Sequence, residues 1–194
     1  SGSGAGENAV LSSQEWVTDL SAKNKWRTRL IAASLRNYNQ LELLAGTDVY
    51  TMPPKVASAG RKNLSGKFKS MLGNFYDVPL TDKAGGLGIE KFWEVSETVV
   101  NFGRSIDSNV PRTGAEFVKR AHEAGLGDMF PIFSEAEKKR ISDEGKIPVL
   151  SSWIDEIANA RVAPDTLLTL AGLASFTADQ KQLDDRVEGI INRQ

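Results

Sequence analysis

The 194-residue chain has no cysteine and a single histidine, His122. Without cysteine there is no disulfide scaffold, thiol nucleophile, zinc finger, iron-sulfur cluster or Cys-x-x-Cys redox pair. One histidine cannot supply a two-histidine metal site, an HExxH pair or a 2-His-1-carboxylate triad within one chain. Long apolar runs are missing too: none approaches the roughly 18 to 20 residues that span a bilayer, so the expectation is a soluble or peripheral chain. Nor is either sign of charge in excess. Lys and Arg number 24 against 25 Asp and Glu, a net charge of -1, and these totals point to no nucleic-acid partner. A cysteine-free sequence is indifferent to redox conditions, which leaves an oxidising lumen and a reducing cytosol both open.

What is present is an ordinary globular composition, 40% hydrophobic and 25% charged, in a length that suits one domain or one domain with a small annex. Ser1 to Gly6 reads as a flexible N-terminus or a tag remnant. Ser12-x-x-Glu15 fits a capping box and predicts a helix start. Apolar positions from Trp16 through Leu20, Trp26, Leu30, Leu35, Tyr38 and Leu41 to Leu44 then predict one long helix, kinked near 21–24 and stopped by Gly46. Pro53-Pro54 suits a helix start, and Val56, Gly60, Leu64, Phe68, Met71, Leu72 and Phe75 predict a second helix of about six turns, ending before Pro79. A third helix is expected from Ile89 to near Pro111, and a fourth from the Thr113-x-x-Glu116 box to Gly125 or Gly127. Beyond residue 129 the texture shortens into helices over 134–143, 151–160, 164–175 and 177–192, with Ser134-x-x-Glu137 and Thr177-x-x-Gln180 as caps. No segment alternates as a strand does. The expected fold is all-α: a flexible 1–11, a four-helix up-down bundle over 12–128, and a C-terminal annex of short helices over 129–194.

Chemistry-bearing patterns are sparse. His122 is expected on a helix surface near its C-terminal end, where its cationic form suits the macrodipole. No Gly-x-Ser-x-Gly elbow accompanies it. Gly85-Gly86-Leu87-Gly88 lacks the preceding strand and following Lys-Ser/Thr of a phosphate loop, and reads as an inter-helix connection. Trp26, Tyr38, Phe68, Phe75, Phe92, Trp93 and Phe102 read as core packing, with a pigment or ligand pocket as the rival. Phe130-Pro131-Ile132-Phe133 reads as a plug on the bundle end, or else as an exposed docking patch. We therefore expect no catalytic, metal or cofactor residues, and no enzyme.

The net charge of -1 conceals a polarity. Residues 1–80 carry 10 basic and 6 acidic side chains, net +4, and residues 81–194 carry 14 and 19, net -5. Lys23, Lys25, Arg29, Arg36, Arg61, Lys62, Lys67 and Lys69 are the candidate docking residues for an acidic protein surface, where complementary charge sets orientation and on-rate. A solvated helix face is the plainer reading of the same residues.

The pattern from about Trp26 to Ala124 resembles the PsbQ group of extrinsic photosystem II subunits, in its algal form. The residues that carry the resemblance are Leu30, Leu35-Arg36-x-Tyr38-x-x-Leu41, Pro53-Pro54, Leu64-x-x-x-Phe68-x-x-x-Leu72 with Phe75 and Tyr76, and Lys91-Phe92-Trp93-Glu94. It covers about half the chain; the family is generally shorter, its plant members are more basic, and 129–194 has no counterpart in it. The resemblance implies an up-down bundle and a non-enzymatic accessory subunit. Such a subunit sits in the chloroplast thylakoid lumen, peripheral to the membrane, among the protein subunits of a membrane-associated complex. There it helps retain the calcium and chloride of the oxygen-evolving centre without ligating manganese. A cytoplasmic location is the alternative, as is a helical bundle that binds a small molecule, pigment or lipid.

Overall fold

A computed structural model of the chain describes residues 4–66, 68–80 and 85–192. The protein is all-α, with eight α-helices among those residues, and it divides into two compact units. One unit comprises 1–81 with 90–94, the other 82–89 with 95–194.

In the first unit, α1 runs Ala5–Asn24. Ser12 therefore lies inside the helix rather than at its start. The helix also ends far short of the expected Gly46, because Lys25 adopts left-handed backbone (φ 56°) and the Trp26 N–H donates to the Ser21 carbonyl at 3.0 Å. This closing geometry usually falls to glycine, so nothing in the composition announced it. Leu30 and Leu35, expected further along the same helix, belong to an extended passage. That passage includes a two-residue parallel pairing, β1 (Ile31–Ala32) with β2 (Val49–Tyr50), too short for alternation to reveal. Between the strands lies α2 (Tyr38–Leu43), capped by the Asn37 side chain accepting from the Gln40 N–H.

α3 (Pro54–Asn63) starts at the diproline as expected. It covers fewer than half of the expected residues, stopping before Gly66, which has φ 72°. Residues 68–80 are not helical. They pass over α1 and the α2–β2 turn, with the Met71 N–H donating to the Ala45 carbonyl at 2.6 Å. Leu11, Ala32, Leu35, Leu41, Leu44, Val56 and Leu64 form the core of this unit.

α1 holds the unit together through polar side chains as much as apolar ones. Asn8 and Gln14 are buried, at 2% and 1% exposure. Ser12 Oγ donates to the Trp93 carbonyl at 2.7 Å, and a Glu15 carboxylate oxygen accepts from the Gly73 N–H at 2.6 Å. Asn8, Ser12, Gln14 and Glu15, within little more than two turns, thus tie α1 to residues 76, 93, 48 and 73 and supply partners to their polar groups.

Short 3-10 turns at Gly85–Leu87, in the second unit, and Ile89–Phe92, mostly in the first, replace the expected start of the third helix. α4 begins later, at Glu97–Ser108, where the Ser96 hydroxyl accepts from the Val99 N–H. α5 (Gly114–Glu123) follows the expected cap: Thr113 accepts from the Glu116 N–H, and Gly125 closes the end with φ 79°. Glu116 reaches back to the Arg112 N–H rather than that of Thr113. α6 (Glu135–Glu144) carries the full Ser134–Glu137 capping box, and a 3-10 turn at Leu150–Trp153 leads into α7 (Ile154–Ala158).

α8 spans Pro164–Ile191 without interruption where two helices were expected. Thr177 does not cap: it lies inside the helix, where its hydroxyl donates back to the Leu173 carbonyl at 3.0 Å. Phe102, Ala121 and Leu126 form one cluster, and Ile141, Trp153, Val162, Leu167 and Ala171 another. The Phe130–Phe133 run serves both. Phe130 stacks edge-on against Phe117 at 4.8 Å, and Phe133 against Trp153 at 6.3 Å, while Ile132 is exposed.

Candidate docking surface

Because α1 ends on Lys25, the chain turns and lays residues 26–30 beside the last turns of the helix. Gln14 fixes the far side. Its Nε2 donates to Asp48 Oδ2 and to Thr18 Oγ1, both at 2.9 Å, and its Oε1 accepts from the Asp48 N–H at 3.0 Å. The same Asp48 oxygen accepts from the Leu30 N–H at 3.2 Å. The Gln14 hydrogen bond, then that of Leu30, with the Arg29 charge nearby, holds the Asp48 carboxyl below its ordinary range. Asp48 is therefore a fixed anion at neutral pH. Around it opens a recess of about 660 Å³ lined by Thr18, Ser21, Trp26, Arg27, Thr28, Arg29 and Asp48.

A second, more apolar groove of about 540 Å³ runs beside α3, with Leu41, Tyr50, Met52, Leu64 and Phe68 among its walls and Arg61 on its rim. Phe68 meets Tyr50 edge-on at 6.4 Å yet stays about half exposed. The groove is narrow at Gly60, where a Cβ would lie 2.7 Å from Leu41 Cδ1.

The predicted docking residues all belong to this unit. Lys23 pairs with Asp19 at 2.5 Å, near the α1 terminus; Lys25 closes that helix; Arg29 lines the recess. Arg61 and Lys62 occupy the last turn of α3, Arg36 precedes α2, and Lys69 lies in the segment after α3. Lys67 lies outside the described residues. Arg27 and Lys55 join the set, and among the described residues Lys25, Arg27, Arg36, Lys55, Arg61, Lys62 and Lys69 carry no ion pair.

The second unit differs. Several of its cations are taken up internally, Arg140 by Glu144 and Glu156, Arg161 by Glu137, and Arg120 by Glu116, while Arg104, Arg112, Lys146 and Arg186 carry no ion pair among the described residues. His122 is on the exposed surface of α5 near its C-terminal end, and its Nε2 donates to the Phe130 carbonyl at 2.8 Å. No group of three or more His, Asp or Glu among the described residues could hold a metal ion. No helix among them is long and apolar enough to cross a membrane.

Three of the aromatic residues expected in the core are on the surface instead. Trp26, Phe68 and Phe75 are 52%, 51% and 67% exposed, because the helices that would have turned them inward end before reaching them. Phe102 is buried as expected. The exposure of Trp26 and Phe68 beside unpaired cations had no sequence signal, since aromatic residues at helical spacing ordinarily pack inside. No protein-family model, curated protein or solved structure matches the chain.

Proposed function

We propose that the protein is a non-enzymatic accessory subunit that docks onto an acidic protein surface through the basic side of its first unit. The observation that carries this reading is the set of seven exposed cations of one unit without an ion pair among the described residues, Lys25, Arg27, Arg36, Lys55, Arg61, Lys62 and Lys69, of which Arg27 and Arg61 line two recesses that also hold the half-exposed Trp26 and Phe68. Unpaired exposed cations give complementarity and fast encounter, and aromatics with Arg are the residue types that anchor interfaces. The partner chemistry that fits is an acidic segment with one or two apolar side chains for the groove beside α3. The finer assignment, a four-helix-bundle subunit on the lumenal face of photosystem II, rests on the resemblance to the PsbQ group.

Salt-washed photosystem II membranes are the probe for that assignment. Saturable rebinding of the purified chain, weakened at least tenfold between low and high salt and again by Arg61→Gln with Lys62→Gln, supports it. No rebinding rejects photosystem II as the partner. The broader reading is tested by affinity capture from the native source with the same two variants and salt series. Partners whose capture ignores both charge and salt overturn it.

The groove beside α3 also favours a second reading, a site for a small apolar ligand such as a pigment or lipid. Native mass spectrometry of protein purified from its source would show the added mass, and its absence rejects that reading.

A further inference from the structure

From Phe176 to Asn192 every residue of the chain's last helix is exposed. The buried contacts of α8 are confined to its first half, at Pro164, Leu167 and Ala171. A helix that left its own unit only to be solvated would carry polar residues all round. This one does not. Leu173, Phe176, Leu183, Val187 and Ile190 are 55%, 58%, 56%, 47% and 56% exposed. With Gln180 they fall at alternating intervals of three and four residues, the spacing that keeps one seam facing a partner helix. The seam is about 26 Å long. Lys146 Nζ lies 4.8 Å from the Phe176 ring centre and leaves most of that ring open.

We propose that this half of α8 pairs with the same half of a second copy, antiparallel, to form a homodimer. The charges beside the seam choose both the occupant and the direction. Asp179 and Arg186 flank one rim, and Asp184 the other. In an antiparallel pair centred between Lys181 and Gln182, Leu173 meets Ile190 of the second copy, Phe176 meets Val187, and Gln180 meets Leu183. Asp179 then faces Arg186 of the other copy, and symmetry makes this contact twice. A parallel pair would stack Gln180 on Gln180 and set Asp179 against Asp184 of the other copy, also twice. A membrane surface is disfavoured, because residues 176–192 carry four acidic side chains and two basic ones, whereas interfacial helices put basic residues on their polar face. Lys181 pairs with Asp185 at 2.8 Å within the helix, away from the seam, and stays available for that role in the dimer.

The test is sedimentation equilibrium of the full chain from about 1 to 200 µM. A monomer–dimer equilibrium is expected. Leu183→Gln with Val187→Gln should leave a monomer that keeps its helical spectrum, since glutamine is a good helix former and neither side chain packs within the monomer. Asp179→Arg alone and Arg186→Asp alone should each weaken dimerisation roughly tenfold, and the two combined should restore it, because the swapped charges again face opposite signs. A chain that stays monomeric throughout the range overturns the proposal. So does a dimer that Asp179→Arg strengthens, which is the parallel arrangement, and so does a monomer that co-floats with anionic vesicles.

Discussion

Asn8 and the Tyr76 backbone exchange two hydrogen bonds of 2.8 Å each: Asn8 Nδ2 donates to the Tyr76 carbonyl and Asn8 Oδ1 accepts from the Tyr76 N–H. The carboxamide thus behaves toward residue 76 as a neighbouring strand would. Tyr76 is fixed at its other end as well, its hydroxyl donating to the Leu43 carbonyl at 2.7 Å. Burial there, with Glu7 and Glu42 nearby, raises the phenol above its ordinary pKa, so it remains a donor at any physiological pH.

Asn8→Leu should destabilise the first unit by about 2–3 kcal/mol, because it leaves a backbone donor and acceptor unpaired in a buried place. Asn8→Asp keeps the acceptor for the N–H but sets a carboxylate against the Tyr76 carbonyl, and should cost as much or more near neutral pH. Urea denaturation of the two variants, followed by fluorescence of the tryptophans, measures both. An effect under 0.5 kcal/mol for either, taking that as the scale of an ordinary surface change, would show that the clamp is dispensable.

Gly46 and Gly60 should respond differently to alanine. Gly46 has φ 106°, and a Cβ there would lie 2.5 Å from Ser70 Oγ and 3.0 Å from Leu72 Cγ. Strain and collision add, so Gly46→Ala should lose well over 1 kcal/mol. Gly60 is helical, so alanine gains about 1 kcal/mol of propensity but must displace the Leu41 methyl 2.7 Å away. The two effects should nearly cancel in thermal melts, and the groove beside α3 should narrow.

Acid should loosen the second unit through Glu144. Burial pushes this carboxyl up, but hydrogen bonds from the Trp153 indole N–H, the Ser152 hydroxyl and the Val149 N–H, with the Arg140 charge, outweigh it and leave the pKa lowered. A carboxyl depressed in the folded state stabilises it fully above the unfolded pKa, and that contribution disappears as pH falls through the folded value. Glu137, held down first by the Ser134 N–H and hydroxyl and then by Arg161, acts in the same direction. The stability gap between the parent chain and Glu144→Gln should therefore be widest near pH 7 and close as pH falls below the ordinary carboxyl range and through the lowered folded value. A gap that is constant with pH would remove the carboxylate from the account.

Trp153 is completely buried beneath Arg140, whose guanidinium carbon sits 3.8 Å from the ring centre, with Phe133 edge-on. Trp153→Phe removes the indole N–H that two Glu144 oxygens accept, at 3.1 and 3.0 Å. A loss of about 1–3 kcal/mol is expected. Trp153→Ala adds a cavity and should lose about 3–5 kcal/mol. Calorimetry of both variants separates the hydrogen-bond contribution from that of packing.

The helices that could be foreseen are those whose boundaries are written in side chains that cap. Pro53-Pro54, Thr113, Ser134 and Pro164 each mark a start that the structure keeps. The boundaries that escaped are made by backbone. Lys25 ends α1 in a conformation glycine usually supplies, and Ser96 caps α4 without an acidic partner three residues on. Thr177 shows the converse: a capping pattern inside a helix, where the hydroxyl found a carbonyl four residues back. The charge at the candidate surface was legible because basic residues on a folded chain stay outside. The recess was not. It depends on Gln14 and Asp48 meeting across 34 residues, a contact that neither spacing nor hydrophobicity encodes.

The polar side of α1 has a consequence for the order of assembly. Its partners lie 34 residues downstream at Asp48, 58 at Gly73, 68 at Tyr76 and 81 at Trp93. During synthesis α1 leaves the ribosome ahead of all four, so each group it is built to satisfy arrives later, and Trp93 arrives last. Closing such long loops is slow compared with forming a helix. The first unit should complete only after Trp93 has been made, with its N-terminal helix waiting for that latest contact.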